Sequence, residues 1–556
     1  MAVLILLIGL FSLMAGFVIY TKILDRKIVN PDDNIKTPAV RFKDGKDYVP
    51  AHPLVLLGHH FSSIAGAGPI VGPIIGYAFF GWGPAFLWIV LGSILLGGVH
   101  DYLSLMISVR EGGKGIGQIT KEAISPLSSK IFSFFIWIML VLVQSVFAIF
   151  TAKTFVAKPE IIIPSLSLIV IAPLFGFLVY KMRMKLSIAT IIAFVLIIIS
   201  VYMGFKYPID IKTLLSLNSQ ETYLFWLRVM FIYAFIASVL PVWILLQPRD
   251  YLSVYILIIG MILGIIGIIS LHANFTGPFF TGFIGKIKTA KGIQAQPLFP
   301  MLFILIACGA ISGFHSLVSS GTTAKQLSKE SHGKFIGYGG MILEGVLALI
   351  VLCLIASALN WDNTGKYGFF KLFEKSKILV FGYAFGKSLA STGFVSFKVG
   401  AILGTLMVNA FLLTTLDTST RLARYVLSET FSLKNPFIST LLGIITAYIL
   451  AYTNKVMVIW PVFGSANQLL AAFTLLTLTA YLLGKKKPSL YTLIPAIFML
   501  IMVISSLIYL FYKNWKVNNI VETVIIILLI CSIVIVIDSI RHFIAMKNMI
   551  LGEKNK

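Results

Sequence analysis

Charge is what this chain has least of. Only 12% of its 556 residues are charged, against about 25% in soluble domains. So few charges cannot coat several globular domains with a solvated surface. Acids are the scarcer sign, 21 Asp and Glu against 45 Lys and Arg, for a formal net charge of +24. The three cysteines, Cys308, Cys353 and Cys531, stand far apart in apolar runs. They form neither metal-ligand spacing nor a disulfide framework. The sequence has no Walker A motif, no H-E-x-x-H and no G-x-S-x-G, so nothing points to a phosphate loop, a zinc protease or a nucleophile elbow. Gly66-Ala67-Gly68 lacks the preceding strand that a dinucleotide loop needs. The expectation is a chain that is not an enzyme and takes no cofactor.

Apolar surface is abundant. Hydrophobic residues make up 58% of the chain, with 43 Phe, 21 Tyr and 8 Trp, and the mean hydropathy is +0.95. This excludes disorder and points to an all-α polytopic membrane protein whose solvent is the lipid bilayer. Runs long enough to span lie at 2–22, 53–79, 83–109, 130–153, 161–181, 187–205, 223–246, 251–273, 298–320, 336–359, 395–416, 436–452, 457–484, 489–512 and 519–541, about fifteen transmembrane helices. No run has the alternation of a β-barrel strand. With the N-terminus outside, Lys and Arg in the loops on the cytoplasmic side outnumber those on the other by about two to one. That bias places the C-terminus in the cytoplasm, and it accounts for the net charge without nucleic acid. The first segment lacks a basic n-region and an A-x-A cleavage site, so it reads as a retained helix. The polar stretch 23–52 is too short to fold alone and is expected to cap the cytoplasmic side.

Two of the runs are interrupted. In the first, Gly66-Ala67-Gly68-Pro69 and Pro73 argue against a straight helix. In the second, Ala310 to Thr323 is dense in Gly, Ser and Thr. The charge bias gives 53–79 and 298–320 opposite directions. Each opens a set of five helices, 53–205 and 298–484. Residues 1–52 add a helix and loop, 206–297 an inserted helix pair, and 485–556 a final pair and tail. This is the plan of transporters built from a 5+5 inverted repeat with two broken helices (APC/LeuT-like), in which the breaks meet near the midplane. Half-helix N-termini then face anionic groups and freed carbonyls face cations. Gly68-x-x-x-Gly72-x-x-x-Gly76 is also a helix-packing pattern, but interruptions at matching places in opposed repeats favour the broken helix.

The stretches Gly58-His59-His60-Phe61, Ile64 to Pro73, Asp44-Gly45-Lys46-Asp47-Tyr48-Val49-Pro50 and Pro248-Arg249-Asp250-Tyr251-Leu252 resemble signatures of the carbon starvation protein A family. So do Ser319-Ser320-Gly321-Thr322-Thr323, Thr415 to Arg421 and Trp460 to Leu469. The resemblance spans about 44–469. It implies an inner-membrane secondary transporter related to the amino acid–polyamine–organocation superfamily, either a peptide transporter or a pyruvate–proton symporter.

Within that plan, Gly66, Ala67, Gly68, Ser312, Gly313, His315, Ser316 and Asn467 are the candidate substrate-binding residues, and Gln468 offers a second amide. Pyruvate and a short peptide both present a carboxylate that suits half-helix N-termini. An ionisable residue at the centre of a membrane helix costs at least about 2.5–3.5 kcal/mol and needs a reason. Glu344, Asp101, His59 and His60 are therefore candidates for coupling protons, with Glu344 preferred because it sits well inside a helix. Adjacent His59 and His60 point about 100° apart and cannot share one cavity. Each also reads as a neutral histidine bonded to a neighbouring helix, and His315 as a structural donor. Asp417 reads either as functional or as an i,i+4 pair with Arg421. Thr414 and Thr415 suit a sodium site built of hydroxyls and carbonyls, so sodium coupling is the alternative to protons. An ion channel or an intramembrane enzyme are remoter alternatives, lacking a fourfold filter repeat and a nucleophile–base pair respectively.

Overall fold

A computed structural model describes residues 1–554 apart from 46, 242–243, 290–291, 363–367, 432, 434, 453–455 and 516–518. The chain is helical almost throughout, as it must be where no water can satisfy the backbone. The membrane helices are α1 (Ala2–Leu24), the half-helices α2 (Pro53–Ile64) and α3 (Gly68–Phe80), α4 (Trp82–Arg110) and α5 (Pro126–Ala157). Then follow α6 (Pro159–Val179), α7 (Leu186–Lys206), α8 (Ser219–Val239) and α9 (Leu246–Leu271). The second half holds the half-helices α10 (Leu298–Leu305) and α11 (Phe314–Gly321), α12 (Glu330–Ala358), α13 (Lys377–Ala390) and α14 (Phe397–Phe431). It closes with α15 (Pro436–Tyr452), α16 (Val456–Gly484), α17 (Leu490–Asn514) and α18 (Asn519–Lys554).

Local chemistry starts these helices where they start. Ser125 caps α5 ahead of Pro126, whose missing N–H costs nothing in the first turn. Asn218 and Glu221 form a capping box on α8. Gly81, at φ 83°, makes the turn from α3 to α4. A Cβ there would lie 2.6 Å from the Pro278 carbonyl oxygen.

Twelve described helices are long and apolar enough to cross a bilayer, and the pair α2 and α3, bent by 47°, makes a thirteenth span. The expected count of about fifteen is not established by helix length. The run 298–320 is two helices of 8 residues each, and α15 has only 17. Two elements were not expected. α13 is a 14-residue helix, and Ile284–Thr289 (β1) pairs antiparallel with Gly292–Pro297 (β2). The hairpin lies directly on α3, where a Cβ at Gly285 would overlap the Phe79 carbonyl oxygen at 2.0 Å.

The long helices α5 and α14 pack along one another at the centre, with the α2–α3 break beside them. The pair α8 and α9, read as an insertion, packs against this core; α9 touches α2, α12, α13 and α14. Stretch 23–52 caps the segment after α11. Val49 donates to the Lys325 carbonyl at 3.2 Å, the Asp32 amide to Glu330 at 3.0 Å, and the Ser331 hydroxyl to Asp33 at 2.8 Å.

Candidate functional site

Both interrupted runs are broken, and the breaks touch. The first break is residues 65–67, after which Pro69 enters the first turn of α3. The second is residues 306–313, several residues earlier than the Gly/Ser/Thr density indicates. Ser312 and Gly313 lie in the break, whereas His315 and Ser316 belong to the first turn of α11, which corrects their expected position. A Cβ at Gly68 would sit 2.5 Å from Cys308 Cβ, and one at Gly72 would sit 3.0 Å from the Leu305 carbonyl oxygen. Only glycine permits that approach. The two readings of the glycine stripe are therefore both realised, since Gly66-Ala67 breaks the helix and Gly68, Gly72 and Gly76 pack it onto the second break.

Unwound backbone at membrane depth must find partners. The Ile306 carbonyl accepts from Trp88 Nε1 at 2.8 Å and the Gly309 carbonyl from Ser93 Oγ at 3.1 Å. Asn467 of α16 holds the start of α11. Its Oδ1 accepts from the Phe314 amide at 3.0 Å and from Ser312 Oγ at 3.1 Å, and its carbonyl from the Gly313 amide at 3.2 Å. Ser316 Oγ meets Thr474 Oγ1 at 3.0 Å. Gln468 donates to the Phe303 carbonyl at 3.2 Å.

Beside this junction lies a buried ionisable network. His315 Nδ1 is 2.7 Å from Asp101 Oδ2, and Asp101 Oδ1 is 2.7 Å from His100 Nδ1. His315 Nε2 is 3.0 Å from Glu344 Oε2. That last contact has ion-pair distance without hydrogen-bond alignment, and neither Glu344 oxygen is hydrogen-bonded. All four side chains are fully buried. Asp101 therefore pairs with two histidines. The structure brings Asp101, His315 and Glu344 together; His60 packs nearby, against Gly340 of the Glu344 helix, but neither it nor His59 bonds them. His60 Nδ1 bonds Thr323 Oγ1 at 2.9 Å, the neighbour-bonded reading. His59 is 3.7 Å from Asp250.

A second network went unread in the sequence. Arg249 of α9, 1% exposed, pairs with Asp417 of α14 and, at 3.3 Å, with Asp250. Tyr233 donates to Asp417 at 2.5 Å. The i,i+4 reading of Asp417 with Arg421 is thereby corrected: Arg421 instead caps the end of α8, donating to the Ala237 and Leu240 carbonyls. Arg228, on the same helix as Tyr233, is exposed.

Around Gly66 stand Phe147 of α5 and Thr415 of α14; a Cβ on Gly66 would lie 3.0 Å from Thr415 Oγ1 and 3.5 Å from the Phe147 ring. The Thr415 hydroxyl is buried without a partner, as are the Gln144 amide and the Thr151 hydroxyl. Gln144, Phe147 and Thr151 share one helical face at i, i+3 and i+7. Phe147 stacks edge-on with Phe463, and Phe150 with Trp460. Thr414, by contrast, spends its hydroxyl on the Ala410 carbonyl at 2.8 Å. The signal for Gln144 was there, an amide alone in the run 130–153.

A manganese transporter of Eremococcus coleocola matches this structure with a TM-score of 0.52 at 12% identity, over 90% of this chain and 99% of that one. The likeness shows the fold, that of LeuT-like transporters. In sequence, a Helicobacter pylori protein named peptide transporter CstA is 33% identical over 87% of this chain and 78% of its own. An Escherichia coli protein named pyruvate/proton symporter BtsT is 32% identical over the same shares. A Bacillus subtilis peptide transporter CstA is 30% identical over 90% of this chain and 89% of its own. The family model described as carbon starvation protein CstA matches residues 1–367 and 371–506. Signature, fold and relatives agree along most of the length, and the chain belongs to the carbon starvation protein CstA family.

Proposed function

We propose that this protein is a secondary transporter of the inner membrane, not an enzyme, importing pyruvate or short peptides with protons. The repeats are 53–205 and 298–484, the N-terminus is outside and the C-terminus is cytoplasmic. The observation that carries the coupling reading is His315 held between Asp101 and Glu344. With His315 protonated and Asp101 ionised, that pair is neutral. Glu344 then sets the net charge of the cluster: zero when it holds a proton, minus one when it does not. An uncompensated buried charge costs several kcal/mol. Asp101 has both oxygens hydrogen-bonded, whereas Glu344 has only the 3.0 Å contact with His315, without hydrogen-bond alignment, so Glu344 is the carboxylate freer to take up and release the proton.

The substrate sits at the first break, against Gly66, Ala67, Gly68 and Thr415, with Gln144 and Thr151 as polar partners and the Phe147, Phe463 and Trp460 rings over it. The start of α11, whose Gly313 and Phe314 amides are taken by Asn467, lends the carboxylate only the positive end of its dipole. Drawing an anion inward opposes a negative interior by about 2.3 kcal/mol per charge per 100 mV, and a co-transported proton cancels that charge.

A sodium reading has its own observation, the unpartnered Thr415 hydroxyl against the first break. Proteoliposome uptake separates the two. Labelled pyruvate or dipeptide should accumulate when an inward proton gradient is imposed and not when sodium replaces it. Accumulation that follows sodium and ignores pH contradicts the proton reading.

A further inference from the structure

A cavity of about 270 Å³ opens at the end of the molecule that the charge bias assigns to the cytoplasm. Three helices finish there. α1 ends in the turn Asp25–Val29, α4 ends at Arg110 and α16 ends at Gly484. Membrane helices end near the level where a bilayer changes from acyl chains to headgroups. The walls follow the same change. Ile28, Val29, Met106 and Leu482 line the apolar part, and Arg110, Lys485 and Lys487 the polar part.

The charges at the rim are unequal. Arg110 is answered by Glu330, 3.0 Å away. Glu111 is engaged by the Tyr481 hydroxyl at 2.9 Å and Lys114 at 3.9 Å. Among the described residues no carboxylate pairs with Lys485 or Lys487. Lys487 donates to the Ile28 carbonyl at 2.5 Å, and Lys485 lies over the Tyr481 ring at 5.7 Å. Burial, and then the Arg110 charge beside it, hold the Lys487 ammonium below the ordinary lysine value. An anion in the cavity offsets both effects.

We propose that this cavity binds the headgroup of an anionic phospholipid, its phosphate between Lys485, Lys487 and Arg110. Basic pockets between membrane helices take such headgroups. A free phosphate would satisfy the lysines as well; the cavity's place where three membrane helices end favours the lipid. The site also has a lever on transport, and this part rests on the coupling role proposed for Asp101 and Glu344. Met106 and Arg110 are on α4 with Asp101, and Glu330 opens α12, which carries Glu344. A bound headgroup ties the ends of these helices to α16.

Native mass spectrometry of the purified full chain tests the site apart from transport. Wild type should retain at least one phosphatidylglycerol that Lys485→Gln/Lys487→Gln loses, and Lys485→Arg/Lys487→Arg should keep it. Uptake by wild type should rise several-fold when phosphatidylglycerol replaces phosphatidylcholine in the vesicles, and the Gln pair should lose that rise. The single Lys485→Gln, intermediate in both readouts, guards against a double variant that fails to fold. Equal lipid retention by wild type and the Gln pair would overturn the site. Inorganic phosphate that raises the melting temperature in detergent as much as phosphatidylglycerol does would overturn the lipid as its occupant.

Discussion

At the scale of single residues, tertiary partners override local spacing. Asp417 and Arg421 are one helical turn apart, an arrangement that in sequence reads as a local pair. The structure gives Asp417 to Arg249, more than a hundred residues earlier, while the likewise buried Arg421 is satisfied by the Ala237 and Leu240 carbonyls. Removing one partner strands the other. Asp417→Ala is expected to lower unfolding stability by about 3–5 kcal/mol, and Asp417→Asn, which keeps the shape and the Tyr233 contact, by less; thermal melts in detergent read the difference. Equal melting temperatures for wild type and Asp417→Ala would contradict the pairing. The acids and histidines of the candidate site were legible one by one as costly groups in apolar runs. Their grouping was not, because Asp101, His315 and Glu344 come from three helices and no spacing rule connects them.

At the scale of elements, the first break was legible because Gly66 and Pro69 act on their own backbone. The second was displaced for a physical reason. The unwound carbonyls of Ile306 and Gly309 are held by Trp88 and Ser93 of α4, donors that the local sequence does not announce. α13 escaped notice because Lys377, Lys387 and its glycines dilute a helix of only 14 residues. The contact between the breaks makes a prediction of its own. Gly68→Val adds a branched side chain where even a Cβ meets Cys308 at 2.5 Å, with backbone-flanked Cys308 unable to swing away. It should abolish transport and reduce the yield of folded protein, whereas Gly68→Val combined with Cys308→Gly should recover part of both. Wild-type uptake by Gly68→Val would show that the breaks do not pack as described.

At the scale of the molecule, hydropathy and the charge bias were enough to find a polytopic chain with opposed halves, and the LeuT-like fold agrees with that reading. The orientation it implies predicts that a reporter fused after Lys556 is active only in the cytoplasm; periplasmic activity would contradict it. The central claim is that Glu344, beside His315, carries the coupling proton. Its most direct test compares wild type with Glu344→Gln in proteoliposomes loaded for two assays, pH-driven accumulation and exchange of labelled for unlabelled substrate without a gradient. Glu344→Gln keeps the side-chain shape and fixes the neutral state. The account predicts that accumulation is lost while exchange continues near the wild-type rate. Glu344→Gln that still concentrates substrate in response to a pH gradient would contradict it.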